Sequence, residues 1–125
     1  MQRDKVGEIK TYRDLLVWQK AMSLVTAVYR CSQNFPKNEI YGLTPQLQRC
    51  AVSIPSNIAE GYGRRSTGDY VRFLQISMGS VFELQTQLEI ACNLEYLTKE
   101  RFEELYQQSR EVERMLSSLI AKLKT

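Results

Sequence analysis

The sequence contains no histidine. That removes the commonest general base, the commonest transition-metal ligand and the side chain that titrates nearest neutrality. A histidine-activated serine or cysteine nucleophile is excluded with it, as is a di-iron helical bundle, which takes Glu-x-x-His pairs. Cysteine is scarce: Cys31, Cys50 and Cys92 stand far apart, with no Cys-x-x-Cys. A zinc site of the usual Cys/His kind is therefore not expected. Each cysteine lies in an apolar helical pattern and reads as a buried, reduced thiol. No apolar run approaches the length of a membrane span, and Met1-Gln-Arg-Asp-Lys5 lacks the apolar stretch of a signal peptide. The expectation is a cytoplasmic protein with no membrane segment, no metal, no cofactor and no enzymatic constellation.

What is present is regular. In 125 residues there is room for one domain, with about two thirds of the unfolded surface available for burial. Residues 1–11 are polar and mixed in charge and read as a flexible tail, with residues 12–125 as the domain. A first helix is expected over about 12–34, where Leu15, Trp18, Met22, Val25 and Tyr29 recur at intervals of 3 and 4. Val17, Ala21, Leu24, Val28 and Cys31 form a second stripe beside them, so this helix has neighbours on two sides. Trp18 reads as a core or interface anchor. Pro36 should end the helix, and Phe35, Ile40, Tyr41 and Leu43 should fold back over the bundle end.

Thr44-Pro45 reads as an N-cap followed by proline at the first helical position, opening a second helix over about 45–62. Leu47, Ala51, Ile54 and Ile58 share its inner face. Pro55 cannot donate to the Ala51 carbonyl, normally a cost of about 3 kcal/mol, and the spacing continues through it, so a kink is expected there. Ser53, Ser56 or water are candidates for the freed carbonyl. Gly61 and Gly63 suit a left-handed stop and a close backbone approach. Ser66 and Asp69 form a capping box for a third helix over about 67–94. Arg64 and Arg65 then fall beside the positive end of that helix, unhelpfully unless something anionic sits there. This is no phosphate loop: the glycines lack Gly-Lys-Ser/Thr and follow a helix.

The third helix repeats Tyr70, Leu74, Ser77, Val81, Leu84, Leu88 and Ala91, and Ser77, Gly79 and Ser80 suggest a close crossing. Thr98 caps a fourth helix over about 99–123, with Phe102, Leu105, Ser109, Val112, Leu116, Leu119 and Leu123 on one face. Four helices, no strand signal and short connections predict an all-α, antiparallel up-down-up-down four-helix bundle. Charge divides unevenly along it. Residues 1–66 hold ten Lys and Arg against five Asp and Glu, and residues 67–125 hold seven against nine. The two halves can complement each other within or between copies, or the basic half can face a polyanion.

The run Gly42-Leu-Thr-Pro-Gln-Leu-Gln-Arg-Cys-Ala-Val-Ser-Ile-Pro-Ser-Asn-Ile-Ala-Glu-Gly-Tyr-Gly-Arg-Arg-Ser66 goes beyond periodicity. With Asp14-Leu-Leu-Val-Trp-Gln-Lys20 upstream, and Phe73 and Gly79-Ser80 downstream, it resembles a bacterial four-helix bundle family. That family was first noticed as proteins encoded by intervening sequences within 23S ribosomal RNA genes, hence the label S23 ribosomal protein. The chain is also similar to the accessory variability determinant of diversity-generating retroelements, a pentameric bundle that binds reverse transcriptase and nucleic acid. The resemblance implies a ring-like homopentamer, and it places the family motif at Ser53, Pro55, Ser56, Asn57, Glu60, Gly61, Gly63, Arg64 and Arg65. Two readings follow. In one, a self-assembling, non-enzymatic protein binds RNA or a nucleic-acid–protein complex through Arg49, Asn57, Glu60, Arg64 and Arg65. In the other, the motif is structural, with Pro55, Gly61 and Gly63 shaping the turn and the polar residues building the subunit interface.

Overall fold

A computed structural model describes residues 8–125; residues 1–7, most of the expected tail, lie outside the described residues. All regular structure in the described residues is helical. The four long helices are α1 (Leu16–Ser32), α2 (Leu43–Tyr62), α3 (Thr67–Asn93) and α4 (Lys99–Leu123), with single 3-10 turns at Tyr12–Asp14 and Lys37–Glu39.

Each helix packs on two neighbours, α1 on α2, α2 on α3, α3 on α4, and α4 back on α1. Contacts between neighbours pair rising with falling residue numbers. Cys50 and Ser53 meet Ser80, Ile54 meets Ser77, and Gly61 meets Tyr70 and Phe73. That register belongs to antiparallel helices. It recurs between α1 and α4, where Leu15 and Leu16 lie beside Ser118 and Leu119 while Arg30 and Cys31 lie beside Arg101, and between α3 and α4, where Gln85 donates to Glu113 while Cys92 and Asn93 lie beside Lys99 and Phe102. The core between them is Leu24, Leu47, Ile54, Leu74, Leu84, Leu88, Leu105 and Leu116, all fully buried, with Val28, Ile58, Val81 and Val112 filling the gaps.

The helix ends differ from expectation in instructive ways. The first helix does not start at Tyr12. Thr11 and Asp14 close a reciprocal capping box around the 3-10 turn, Leu15 is extended, and α1 begins afterwards. It ends at Ser32, two residues early: Gln33 keeps helical angles, but the Phe35 N–H closes a turn on the Ser32 carbonyl and Pro36 has no N–H to carry the helix further. Likewise α2 begins at Leu43, so Thr44 is not its N-cap. Glu39, one turn upstream, reaches forward and accepts the Leu43 N–H at 2.9 Å. Pro45 still lies in the first turn, where backbone N–H groups have no helical acceptor to lose. Of the apolar residues expected to cover this end, Phe35 is buried and Leu43 packs on the core. Ile40 and Tyr41 instead point outward, Tyr41 with 94% of its surface exposed.

The Glu39 carboxylate also accepts the Tyr96 O–H at 2.8 Å, which ties the α1–α2 connection to the α3–α4 connection. These two donors hold its carboxyl below the usual glutamate range, the Leu43 N–H contributing most. Because the folded-state value is depressed, the stabilisation is present above the unfolded pKa of about 4.3 and is lost as pH falls through the folded value. Glu39→Gln should therefore flatten the acid side of a Tm-against-pH profile and leave its shape near neutral pH unchanged, as thermal melts followed by circular dichroism would record.

At the other end of α3, Glu95 adopts φ 66°. The Tyr96 N–H reaches back to the Ala91 carbonyl and the Glu95 N–H to Cys92, closing a Schellman cap around a residue that is not glycine. A side chain in left-handed geometry costs roughly 1–2 kcal/mol. Glu95→Gly should raise the urea midpoint by an amount equivalent to about 0.5–1 kcal/mol, after the added flexibility of the unfolded chain offsets part of the relief.

Candidate functional site

The motif residues gather along the seam between α2 and α3 and at the turn that joins them. α2 runs from Leu43 to Tyr62 as one helix through Pro55. Ser53, a candidate for the carbonyl that Pro55 frees, turns sideways, its hydroxyl 2.7 Å from the Ser80 hydroxyl on α3. Asn57, one turn on, donates its amide to the Ser53 carbonyl at 2.8 Å and hydroxyl at 3.0 Å. Ser77 donates to the Ile54 carbonyl at 2.9 Å, and the Cys50 thiol donates to the Ser80 carbonyl at 3.0 Å. Four side chains, Cys50, Ser53, Ser77 and Ser80, thus stitch the two helices together, and Asn57 holds Ser53 in place from within α2. Buried polar groups are tolerable only when partnered, and these partner one another.

Gly61 closes the seam. A Cβ there would lie 2.7 Å from the Phe73 Cβ, 3.2 Å from the Tyr70 ring and 3.3 Å from the Tyr70 carbonyl. Its role is close approach, not the left-handed stop, and Gly63 does not provide that stop either, having φ −80°. The helix ends instead because Gly63 N–H and Arg64 N–H turn back to Glu60 and Gly61 carbonyls, and Ser66 then caps α3 by accepting the Asp69 N–H at 3.1 Å. Asp69 does not complete the box; its carboxylate faces Arg72 at 3.8 Å. The small-residue patch on α3 also divides. Ser77 and Ser80 face α2, whereas a Cβ at Gly79 would meet nothing within 4 Å.

At the turn, Arg64 pairs with Glu60 at 2.9 Å, and its guanidinium lies 4.6 Å from the centre of the Phe73 ring. Arg72 approaches the same ring at 4.8 Å. Both members of the Glu60–Arg64 pair are well exposed, so it contributes only about 0.3–0.5 kcal/mol. Arg65 is exposed and has no acidic partner among the described residues. Two guanidinium groups therefore flank one aromatic ring, with Arg65 exposed next to Arg64 in sequence, offset by Glu60 and Asp69. Arg72 and Phe73 were not among the expected contact residues; an arginine beside an aromatic in the first turns of α3 was the available signal. Arg49 is exposed on α2 but lies fifteen residues before Arg64, about 22 Å along the axis, so the structure does not bring it to the turn. Asn57 belongs to the seam and not to the turn's exposed surface.

Burial raises the thiol pKa values of Cys31 to about 11 and Cys50 to about 12, the latter aided by nearby Glu83, so neither is poised as a nucleophile. Among the described residues no group of three or more His, Cys, Asp or Glu side chains could hold a metal ion. No described helix is long and apolar enough to cross a membrane.

The architecture defines the class: an all-helical four-helix bundle whose second and third helices are joined by a polar seam and a glycine contact. The family model described as 23S rRNA-intervening sequence protein matches residues 13–118, and the chain belongs to that family. A similar crystal structure is a protein of unknown function from the S23 ribosomal protein family of Bacteroides thetaiotaomicron. The two are 26% identical, with a TM-score of 0.76 over 84% of this chain and 98% of that one. A comparison with curated proteins finds no match. Neither the family nor the neighbour carries the name of an enzymatic activity.

Gly61 offers a direct check of the seam. Gly61→Ala should destabilise the fold by about 1–3 kcal/mol in urea titrations, because overpacking against Phe73 and the Tyr70 backbone outweighs the gain in helix propensity. Gly63→Ala, whose Cβ would meet only the Glu60 carbonyl at 3.6 Å, should be close to neutral.

Proposed function

We propose that this protein is a non-enzymatic, self-assembling bundle that binds RNA, alone or within a protein–RNA complex, through the arginine turn between α2 and α3. The observation that carries the reading is the exposed Arg65, without an acidic partner among the described residues, beside Arg64 and Arg72 at the Phe73 ring. Guanidinium groups bind phosphate oxygens in a planar fork, and an aromatic face between them can accept a base. One such turn carries little net charge. Assembly into a closed ring, with five copies as the number the family resemblance implies, would repeat it around an axis and multiply the attraction. Three free thiols suit a reducing cytoplasm as the place of work.

A second reading has its own support. The Ser53–Ser80–Asn57 bonds and the Gly61 contact account for much of the motif without any ligand. In that reading the family pattern preserves architecture, and the exposed arginines serve contacts between copies.

Fluorescence anisotropy with a labelled, structured RNA separates them. Affinity should fall at least about tenfold between roughly 50 and 200 mM salt, as expected when several phosphates are neutralised. The double variant Arg64→Ala/Arg65→Ala should weaken binding by about tenfold or more and reduce the salt slope, with an unchanged melting temperature. Absent or salt-independent binding by the unaltered protein would leave the architectural reading standing.

A further inference from the structure

The clefts between neighbouring helices differ in what borders them. The one between α1 and α2, lined by Trp18, Met22, Val52 and Pro55, carries no charge, and both signs border it, Arg13 and Arg49 with Asp14 and Glu60. Such a border selects no partner. The cleft between the last turns of α3 and the first turns of α4 does. It has a volume of about 610 Å³ and lies at the far end of α3 from the arginine turn, about 40 Å along the helix.

Its wall is aromatic. Phe102 and Tyr106, one turn apart on α4, stack with ring centres 5.6 Å apart and planes 28° from parallel. Phe102 packs on the core, whereas Tyr106 is half-buried without joining it. Trp18 and Phe73 have arginines over their rings, but no described cation lies over Phe102 or Tyr106.

Its rim is acidic. Glu89, Glu100 and Glu103 border the cleft against a single cation, Lys99. No Lys or Arg occurs between Arg72 and Lys99, so the far half of α3 brings none. The arginines of α4 nearby are engaged. Arg101 turns towards the α1–α4 side and pairs with Glu104 at 2.7 Å, and Arg110, one turn past Tyr106, pairs with Glu113 at 2.9 Å. The two helix ends that meet here carry opposite partial charges and offset each other. Side chains therefore decide the balance, and among the described residues no cation pairs with Glu89, Glu100 or Glu103.

We infer that this cleft binds an arginine side chain on a basic segment of another protein. The planar guanidinium lies on the open aromatic face and donates from its edge to the carboxylates, a combination that a lysine ammonium meets only in part. Asn93, at the end of the cleft, adds an amide for the backbone of the bound segment. The site is separate from the arginine turn and stands whether or not that turn binds RNA.

The probe is a fluorescein-labelled hexa-arginine peptide, with hexa-lysine as its comparison, on protein freed of nucleic acid. Anisotropy should show hexa-arginine binding at least about threefold tighter than hexa-lysine. Glu103→Gln should weaken hexa-arginine binding about five- to tenfold. Tyr106→Leu, which keeps an apolar side chain in place, should erase the preference for arginine. Glu104→Gln removes the same charge outside the cleft and should leave both affinities close to unchanged. Cys92 supplies a second readout, because it lines the cleft and is the one partly exposed thiol, Cys31 and Cys50 being buried. Saturating hexa-arginine should slow its alkylation by iodoacetamide severalfold, as intact mass would record. Equal affinities for the two peptides, an equal loss from Glu104→Gln and Glu103→Gln, unprotected Cys92 or absent binding would each overturn the inference. Protection of Cys92 that rises with protein concentration alone means that another copy fills the cleft, and overturns it too.

Discussion

The contact on which this structure depends is the one at Gly61, where the α2 backbone meets Phe73 and Tyr70 with no room for a Cβ. Helices that close are held in one register, and the register decides which polar groups can meet. Only at this separation do Ser53 and Ser80 come within 2.7 Å, and Ser77 within reach of the Ile54 carbonyl. A looser crossing would leave these groups buried without partners, at about 1–3 kcal/mol each. The glycine and the polar ladder therefore require one another. Leucine packing elsewhere in the bundle is forgiving by comparison, since apolar surfaces have no fixed partners.

From the seam, the arrangement of the turn follows. With α2 and α3 fixed side by side, the chain between them is only four residues long, and Arg64 is placed over Phe73 while still reaching Glu60. Arg65, next in sequence, is left facing outward. The same turn that ends one helix thus crowds positive charge at the start of the next, where the helix dipole disfavours it. Within the described residues that charge is met only in part, by Glu60 on Arg64 and Asp69 on Arg72.

The four helices were legible because their core residues repeat at the helical period: Leu24, Leu47, Leu84 and Leu116 all sit where the pattern puts them. Helix ends were less so. Thr44 looks like a cap locally, but Glu39 reaches α2 first through a 3-10 turn that hydrophobic spacing does not encode. The motif was visible as an unusual string, and its internal logic was not. Ser53 and Asn57 could have faced solvent, and only the crossing with α3 turns them to Ser80 and to each other. Gly61 and Gly79 looked alike in sequence. One proves to be a contact between helices of the same chain, the other an open place on the surface. A single chain's periodicity cannot distinguish them, because both are small residues in amphipathic helices.

Trp18 is the only tryptophan in the chain, and it stands half-buried in the α1–α2 groove with the Tyr12 ring edge-on at 5.1 Å and the Arg13 guanidinium above it. An indole in that position senses the hydration of the groove directly. Its emission shifts to shorter wavelength when water leaves and to longer wavelength when the helices separate. The molecule therefore carries a built-in optical reporter in the uncharged groove between α1 and α2. Unfolding and occupation of the groove move that signal in opposite directions, so a label-free titration can distinguish loss of structure from the arrival of a neighbour.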